Sequence, residues 1–200
     1  LLVSEILPIP LIHKTFTLSK RDLAAFEREK IPLYLRPLVE TTIEVARIED
    51  DLIFNGAPGV AGLLSVPGTN RVKLSSWDTI GTAANDVIQA ITTLDSAGFH
   101  GPYSLALAAD RYNLLLRMYQ QGNRTELDHI KEMVTDGVVK AASLKSGGIL
   151  VASGRPYASI LLGQDMRVGF IGPVEEKLEF SISESLTVYV RQPSSVCVLQ

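Results

Sequence analysis

The sequence predicts an α+β fold with an interrupted domain, on three observations. Helical periodicity clusters early in the 200 residues and strand-like alternation fills the end, without the regular strand-helix alternation of a doubly wound sheet. The longest helical segment is apolar around most of its circumference, well beyond the roughly 100° stripe of an ordinary surface helix. At this length the chain suits one substantial domain or two small ones and can bury a core without staples.

The elements follow in order. Leu7 to Leu18, LPIPLIHKTFTL, combines prolines with alternation from Leu11 onward and reads as an extended arm entering a strand. Ser19 is placed to cap a short helix from Lys20 to Lys30, which must end before Pro32. The next helix spans Pro37 to Phe54. At about 100° per residue, Glu40, Glu44, Arg47 and Asp51 share one polar stripe, and Leu38, Val39, Ile43, Val45, Ala46, Ile48, Leu52, Ile53 and Phe54 spread over the rest. Glu49 projects from the middle of that apolar arc and Asp50 from its edge, so each is expected to have a partner in the fold or in a neighbour, because an unpaired buried carboxylate is costly. Asn55-Gly56 suits the helix C-cap.

A second long helix is predicted over Thr79 to Ala97, with Ile80, Ala84, Val87, Ile88, Ile91 and Leu94 on one face. Gly101 to Asp110 reads as a loop, a buried strand and an N-cap for a helix starting near Arg111. Thr125, Glu126 and Asp128 supply first-turn acceptors and anions for a helix ending near Thr135. Strands are then predicted at Val138 to Ala142, Ile149 to Ser153, Ala158 to Leu162, Arg167 to Ile171 and Lys177 to Val190. Ser143 to Gly148, SLKSGG, suits an exposed, mobile loop tip, and Gly163-Gln164-Asp165 a tight turn.

Composition narrows the function. A net charge of -3 gives no basic excess for a nucleic-acid groove or an anionic membrane. Hydrophobic residues make up 46% and mean hydropathy is +0.19, yet no apolar run approaches the roughly 18 residues of a membrane span, so the surplus is expected at subunit interfaces. The single cysteine, Cys197, excludes an internal disulfide and fits a reducing cytosol. The chain opens on Leu-Leu with no charged n-region, and reads as a fragment or the ordered part of something longer rather than a secretory precursor.

Chemistry is sparse. His13, His100 and His129 stand apart without ligand spacing, and neither a G-x-S-x-G elbow, a phosphate loop nor a dinucleotide fingerprint occurs. Ser146-Gly147-Gly148 lacks the lysine and following helix of a phosphate cradle. Glu49, Asp50 and Asp51 are adjacent on a helix and so do not face one another, which favours a structural role over paired acid-base catalysis. Trp77, the lone tryptophan, is read as packing or interface.

The blocks LPIPLIHKTFTL, ARIEDDLIFNG with GVAGLL, GFHGPYSLALAADRY, GILVASG with LLGQDMRVGF, and SISESLTVYVRQPSSVCVL resemble, in order and across nearly the whole chain, those of the encapsulins, the linocin M18-like shell proteins. The resemblance implies a tailed-phage major capsid fold of the Hong Kong 97 type with peripheral and axial domains. Residues 1–18 would be a remnant of the extended loop and a strand, 19–70 the peripheral domain with its spine helix, 71–165 the axial domain, and 166–200 return strands of the peripheral domain. Glu49 and Asp50 would anchor the spine helix in the shell wall, and Gly56, Gly59 and Gly62 would let the chain turn into the next domain. The loop Ser143, Leu144, Lys145, Ser146 and Gly147 would border the five-fold pore, where a ring of lysines favours anions.

The family's N-terminal helix and first loop arm are not seen before the first block. Some encapsulins bind flavin through a tryptophan on the helix after TFTL. Here that position is Arg21, so no flavin, and no other cofactor, is expected.

The function implied is that of a non-enzymatic shell protein in the cytoplasm. It would self-assemble into an icosahedral nanocompartment, a virus-like particle of sixty copies or a multiple. The particle would enclose a cargo enzyme, such as a dye-decolourising peroxidase or a ferritin-like iron-storage protein, held by a C-terminal targeting peptide, with no membrane or nucleic acid involved. The alternatives are a phage or provirus capsid protein packaging DNA, and a hydrolase or bacteriocin, for which no nucleophile and base speak.

Overall fold

A computed structural model describes residues 6–120 and 122–200 of the chain. The start of the arm read over residues 1–18 lies outside the described residues as far as position 5. In chain order the elements are β1 (Leu11–Ser19), α1 (Lys20–Glu29), α2 (Arg36–Asn55), β2 (Gly56–Ala57), β3 (Val60–Ala61), β4 (Asn70–Val72), α3 (Thr82–Ser96), β5 (Tyr103–Leu107), α4 (Ala109–Leu114), α5 (Glu126–Met133), β6 (Val138–Lys140), β7 (Gly148–Ala152), β8 (Ala158–Val174), β9 (Lys177–Val190) and β10 (Val196–Leu199). The chain divides into two units, one comprising the residues up to Leu52 with Ile160–Thr187, the other Ile53–Ser159 with Val188–Gln200.

The first unit is built on a sheet in the order β1-β9-β8. Alternation sets its register: Leu11 pairs Ser185 and Ser19 pairs Lys177, so Ile12, Phe16 and Leu18 share the buried side with Ile182 and Leu186. Phe16 stacks on Phe180 with ring centres 5.4 Å apart. The Ser19 side chain caps α1 by accepting from the Asp22 N–H, as predicted, and Lys30 ends that helix in the left-handed region at φ 57°. Along α2 only Val45 and Leu52 are buried, while Val39 and Ile43 are 52% and 46% exposed. A single chain therefore leaves much of the wide apolar arc uncovered.

One prediction fails in this sheet. Gly163-Gln164-Asp165 is not a turn, because β8 runs unbroken from Ala158 to Val174. The Gln164 amide donates to Ser183 O and Oγ at 3.3 and 2.9 Å, and Gly163 lies so close to β9 that a Cβ there would sit 2.8 Å from Ser185 Oγ. The glycine serves close strand approach rather than reversal.

The second unit holds a mixed sheet in the order β4-β10-β7-β5-β6, parallel where β10 meets β4 and β5 meets β6, and antiparallel elsewhere. Both faces are covered, which is why β5 and β10 read as continuous apolar runs. On one face Trp77, Val87, Leu94, Leu105, Leu107, Ile130 and Leu150 form the larger core beneath α3 and α5. On the other, Ala106, Ala108, Ala141, Leu144, Ile149, Val196 and Val198 pack with Phe54, Leu63 and Leu64. Residues 166–200, read as return strands of the first domain, are thus shared: β10 is an inner strand here, held by Asn70–Val72 on one side and Gly148–Val151 on the other.

Helix starts differ in instructive ways. α3 begins at Thr82 rather than Thr79, because Gly81 takes φ 99° and the Glu126 carboxylate accepts from Gly81 N at 2.9 Å and Ala84 N at 3.1 Å. Glu126, read as a first-turn anion of α5, caps a different helix. It is fully buried, with Arg117 3.7 Å away. Thr125 and Asp128 form a reciprocal capping box on α5. Asp110 is not an N-cap; α4 starts at Ala109 and puts Asp110 in its first turn. Trp77 is fully buried and donates from Nε1 to Asp86 Oδ2 at 2.7 Å, a packing role.

Glu126→Ala strands the N–H groups of Gly81 and Ala84 at the start of α3 and removes the buried carboxyl beside Arg117, whose guanidinium keeps its three carbonyl acceptors. It is expected to cost roughly 3 kcal/mol in equilibrium unfolding, whereas Glu132→Ala, which removes an exposed ion pair with Arg124, should change stability by less than about 0.5 kcal/mol.

Candidate functional site

Three places carry the residues singled out from the sequence: the turn leaving α2, the loop between β6 and β7, and the acids on α2. At the first, the orphan carbonyls of the helix end are met by the returning chain, with Leu63 N donating to Ile53 O at 2.9 Å and Leu64 N to Phe54 O at 3.0 Å. The return is a two-residue hairpin, β2 against β3. It closes only around glycine: Gly56 takes φ 78°, and a Cβ on Gly62 would overlap Gly56 N and sit 2.6 Å from Asn55 C and Phe54 O. Gly59, at φ 79°, faces open space.

The loop Ser143 to Gly147 is not the free segment its composition predicts. Leu144 is 4% exposed and packs in the smaller core, so its side chain is not available to line an opening. Ser143 O accepts from the Asn55 amide at 3.2 Å, and Gly147 O accepts from Ala108 N at 2.9 Å. Gly147 is buried at φ 68° against Leu199 O, where a Cβ would overlap, which explains the glycine. Only Lys145 and Ser146 are exposed. The signal for this anchoring was a leucine inside an otherwise polar loop.

The acids of α2 have different fates. Asp50 is exposed; Glu49 is half-buried on the Val45–Leu52 stripe. Lys14 and Ile182 are register partners on β1 and β9, and Lys14 Nζ reaches Glu44, which sets this sheet face against α2. On the same face Glu184, paired with Ile12, is 5% exposed, and its Oε2 has no hydrogen-bond partner. Burial first, then the charges of Glu49 and of Asp165 on β8, push the Glu184 carboxyl above its ordinary 4.5. Burial, Asp50 and Asp165 raise Glu49 likewise. The partner expected for Glu49 inside the fold is therefore not a cation: among the described residues no ion pair reaches Glu49, Asp165 or Glu184. Sequence reading missed Glu184. The available signal was a glutamate in the inward register of SISESL, between Ile182 and Leu186.

Other chemistry is thin. Among the described residues no group of three or more His, Cys, Asp or Glu is arranged to hold a metal ion. His100 sits 3.3 Å from Asp95 and His129 3.0 Å from the Tyr119 hydroxyl, far apart in sequence and in separate local pairs. Burial pushes the Cys197 thiol up to about 11, away from nucleophilic use. Among the described residues no helix is long and apolar enough to cross a membrane.

The whole arrangement is that of a capsid-type shell subunit. Its structure matches the virus-like particle of Pyrococcus furiosus with a TM-score of 0.86 at 25% identity, over 96% of this chain and 77% of that one. It matches the capsid of Myoviridae Phage XM1 with a TM-score of 0.69 at 11% identity, over 96% of this chain and 73% of the phage chain, a likeness of fold alone. The fold is the tailed-phage capsid fold of the Hong Kong 97 type.

The family model Linocin_M18, "Encapsulating protein for peroxidase", covers residues 1–187, and the chain belongs to this family of encapsulin shell proteins. It is 32% identical over 199 residues to the diheme-cytochrome-encapsulin shell fusion protein of Kuenenia stuttgartiensis, covering 98% of this chain and 55% of that protein. It is 29% identical over 195 residues to the type 1 encapsulin shell protein EncA of Myxococcus xanthus, covering 96% and 68%. The chain thus spans about half the length of the first of these relatives and about two-thirds of the second.

Two outcomes are expected. Gly62→Ala should cost about 3 kcal/mol in chemical denaturation, since backbone must move, and Gly59→Ala only about 1 kcal/mol, from its positive φ. In the isolated chain, raised carboxyl values mean the folded state holds protons more tightly than the unfolded one, so their contribution is present at low pH and lost as pH rises. Glu184→Gln should therefore gain stability over the parent as pH climbs from about 4 to 7, measured by urea unfolding at several pH values.

Proposed function

We propose that this chain is the wall subunit of an icosahedral cytoplasmic nanocompartment that encloses a cargo enzyme. The observation that carries the reading is the apolar surface left open on the first unit: Leu11, Val39, Leu162, Val168 and Phe170 are between 52% and 62% exposed. Surface of this kind marks association, and repeated copies of one chain cover it through closed symmetry. In this reading the first unit is the peripheral domain with α2 as its spine, and the second is the axial domain.

The shell performs no reaction of its own; the chemistry belongs to what it holds. The family's description names a peroxidase, and relatives are fused to a diheme cytochrome in Kuenenia and to a ferritin-like domain in Pyrococcus furiosus. By that analogy the cargo here is a redox or iron-handling protein, recruited by a short C-terminal targeting peptide. Around the five-fold axis the exposed pair Lys145 and Ser146 faces the opening, with Leu144 and Gly147 holding the loop from behind, and the lysine ring favours entry of anions.

Negative-stain electron microscopy of the native particle, with mass spectrometry of what co-purifies, tests the assignment. Uniform hollow shells with one stoichiometric redox or iron-handling protein are expected; DNA-filled heads would replace this reading with a phage capsid. In assembled shells, Lys145→Glu should slow entry of a small anionic dye roughly tenfold relative to a cationic one, and unchanged entry would remove the loop from the pore.

A further inference from the structure

We propose that Glu49, Asp165 and Glu184 form a socket on the first unit that receives an arginine side chain from a second copy of this chain. The inference rests on the shell reading and names one of the contacts that would build the wall.

Three elements converge on the socket. Glu184 stands in the inward register of β9, between Ile182 and Leu186, which are 1% and 0% exposed. Asp165 lies on the neighbouring strand β8, where Gln164 is bonded to Ser183. Glu49 comes from α2, on the stripe defined by Val45 and Leu52. Glu184 forms the floor, with Oε2 lacking any hydrogen-bond partner, and Asp165 and Asp50 are exposed at the rim.

Among the described residues nothing balances this charge. Lys14, the cation of β1 on that face, is engaged with Glu44. Arg47 on α2 and Arg167 on β8 make no ion pair with any of the three acids, and the charges acting on Glu49 and Glu184 are all negative. His13 pairs with Ser183 in the register that points to the opposite face of the sheet. No metal-binding arrangement exists among the described residues. Within one subunit a glutamine at 184 would serve packing better, since an unpaired buried carboxylate is destabilising.

The chemistry that suits the socket is a guanidinium. Its planar fork can donate to more than one carboxylate at once, it stays charged at any working pH, and it sheds water more readily than an ammonium. The open apolar side chains of the same strand, Leu162 and Val168, each 54% exposed, fit delivery by a protein. The same chain carries the complement. Arg21, Arg28, Arg47, Arg155 and Arg167 are exposed and engage no acid of their own chain among the described residues.

Opposite effects on the subunit and the shell test this. The full natural chain, Glu184→Gln and Glu49→Gln are each dissociated, checked for stability by urea unfolding at pH 7, then reassembled while light scattering reports the critical concentration. Both variants should be at least as stable as the parent as subunits, yet need about tenfold or more protein to assemble, the loss expected for a charge-assisted contact. Variants that assemble at the parent's concentration, or below it, overturn the socket while leaving the shell reading intact. A parent that stays monomeric at every concentration overturns both. A variant that loses subunit stability as well as assembly also overturns the socket, because its carboxylate was then serving the fold of one chain.

Discussion

The second unit depends on the insertion of Val196–Leu199 between Asn70–Val72 and Gly148–Val151. That strand joins segments separated by most of the chain, so its pairing carries a large loop-closure cost that only extensive burial offsets. Burial is supplied on both faces: Cys197 and Leu199 enter the larger core, Val196 and Val198 the smaller. Other features follow from the same strand. Gly147 has no room for a Cβ because the chain passes Leu199 O there, and Leu144 is drawn inward to close the smaller core. What is left of the loop for contact with solvent is Lys145 and Ser146.

The first unit has the opposite character. Its three-stranded sheet and two helices bury a modest set of residues, among them Ile12, Phe16, Val45, Leu52, Ile182 and Leu186, and leave large apolar side chains on α2 and β8 open. It also keeps a buried glutamate beside two further acids. Both features lower the stability of one chain taken alone, and both fit the proposed association between copies. The contrast separates a self-sufficient half, closed on both sheet faces and capped by its own Glu126, from a half that leaves large apolar side chains open.

The chain belongs to the encapsulin shell family, and in the proposed shell the open half is the one that meets its neighbours. Among the described residues no metal-holding cluster includes Glu49 or Asp50, and the glycines after them serve a tight return onto the end of α2.

Much of this was legible in the sequence. Periodicity and capping residues placed α1, α2, α5 and β9 close to their limits, because Ser19, Thr125 and the alternation of KLEFSISESLTVYV act through neighbours a few residues away. Block order pointed to the family and hence the fold, and the apolar arc of α2 announced surface in need of cover. Tertiary structure alone decided the rest. Gly163-Gln164-Asp165 has the composition of a turn, yet the pairing of β8 with β9 keeps it extended. Glu126 is the first residue of α5 but caps α3, forty-two residues from Ala84. Glu184 is turned inward only by the sheet register, where the charges of Glu49 and Asp165 act on it. In each case the deciding partner is remote along the chain, and only the folded backbone determines which remote groups meet.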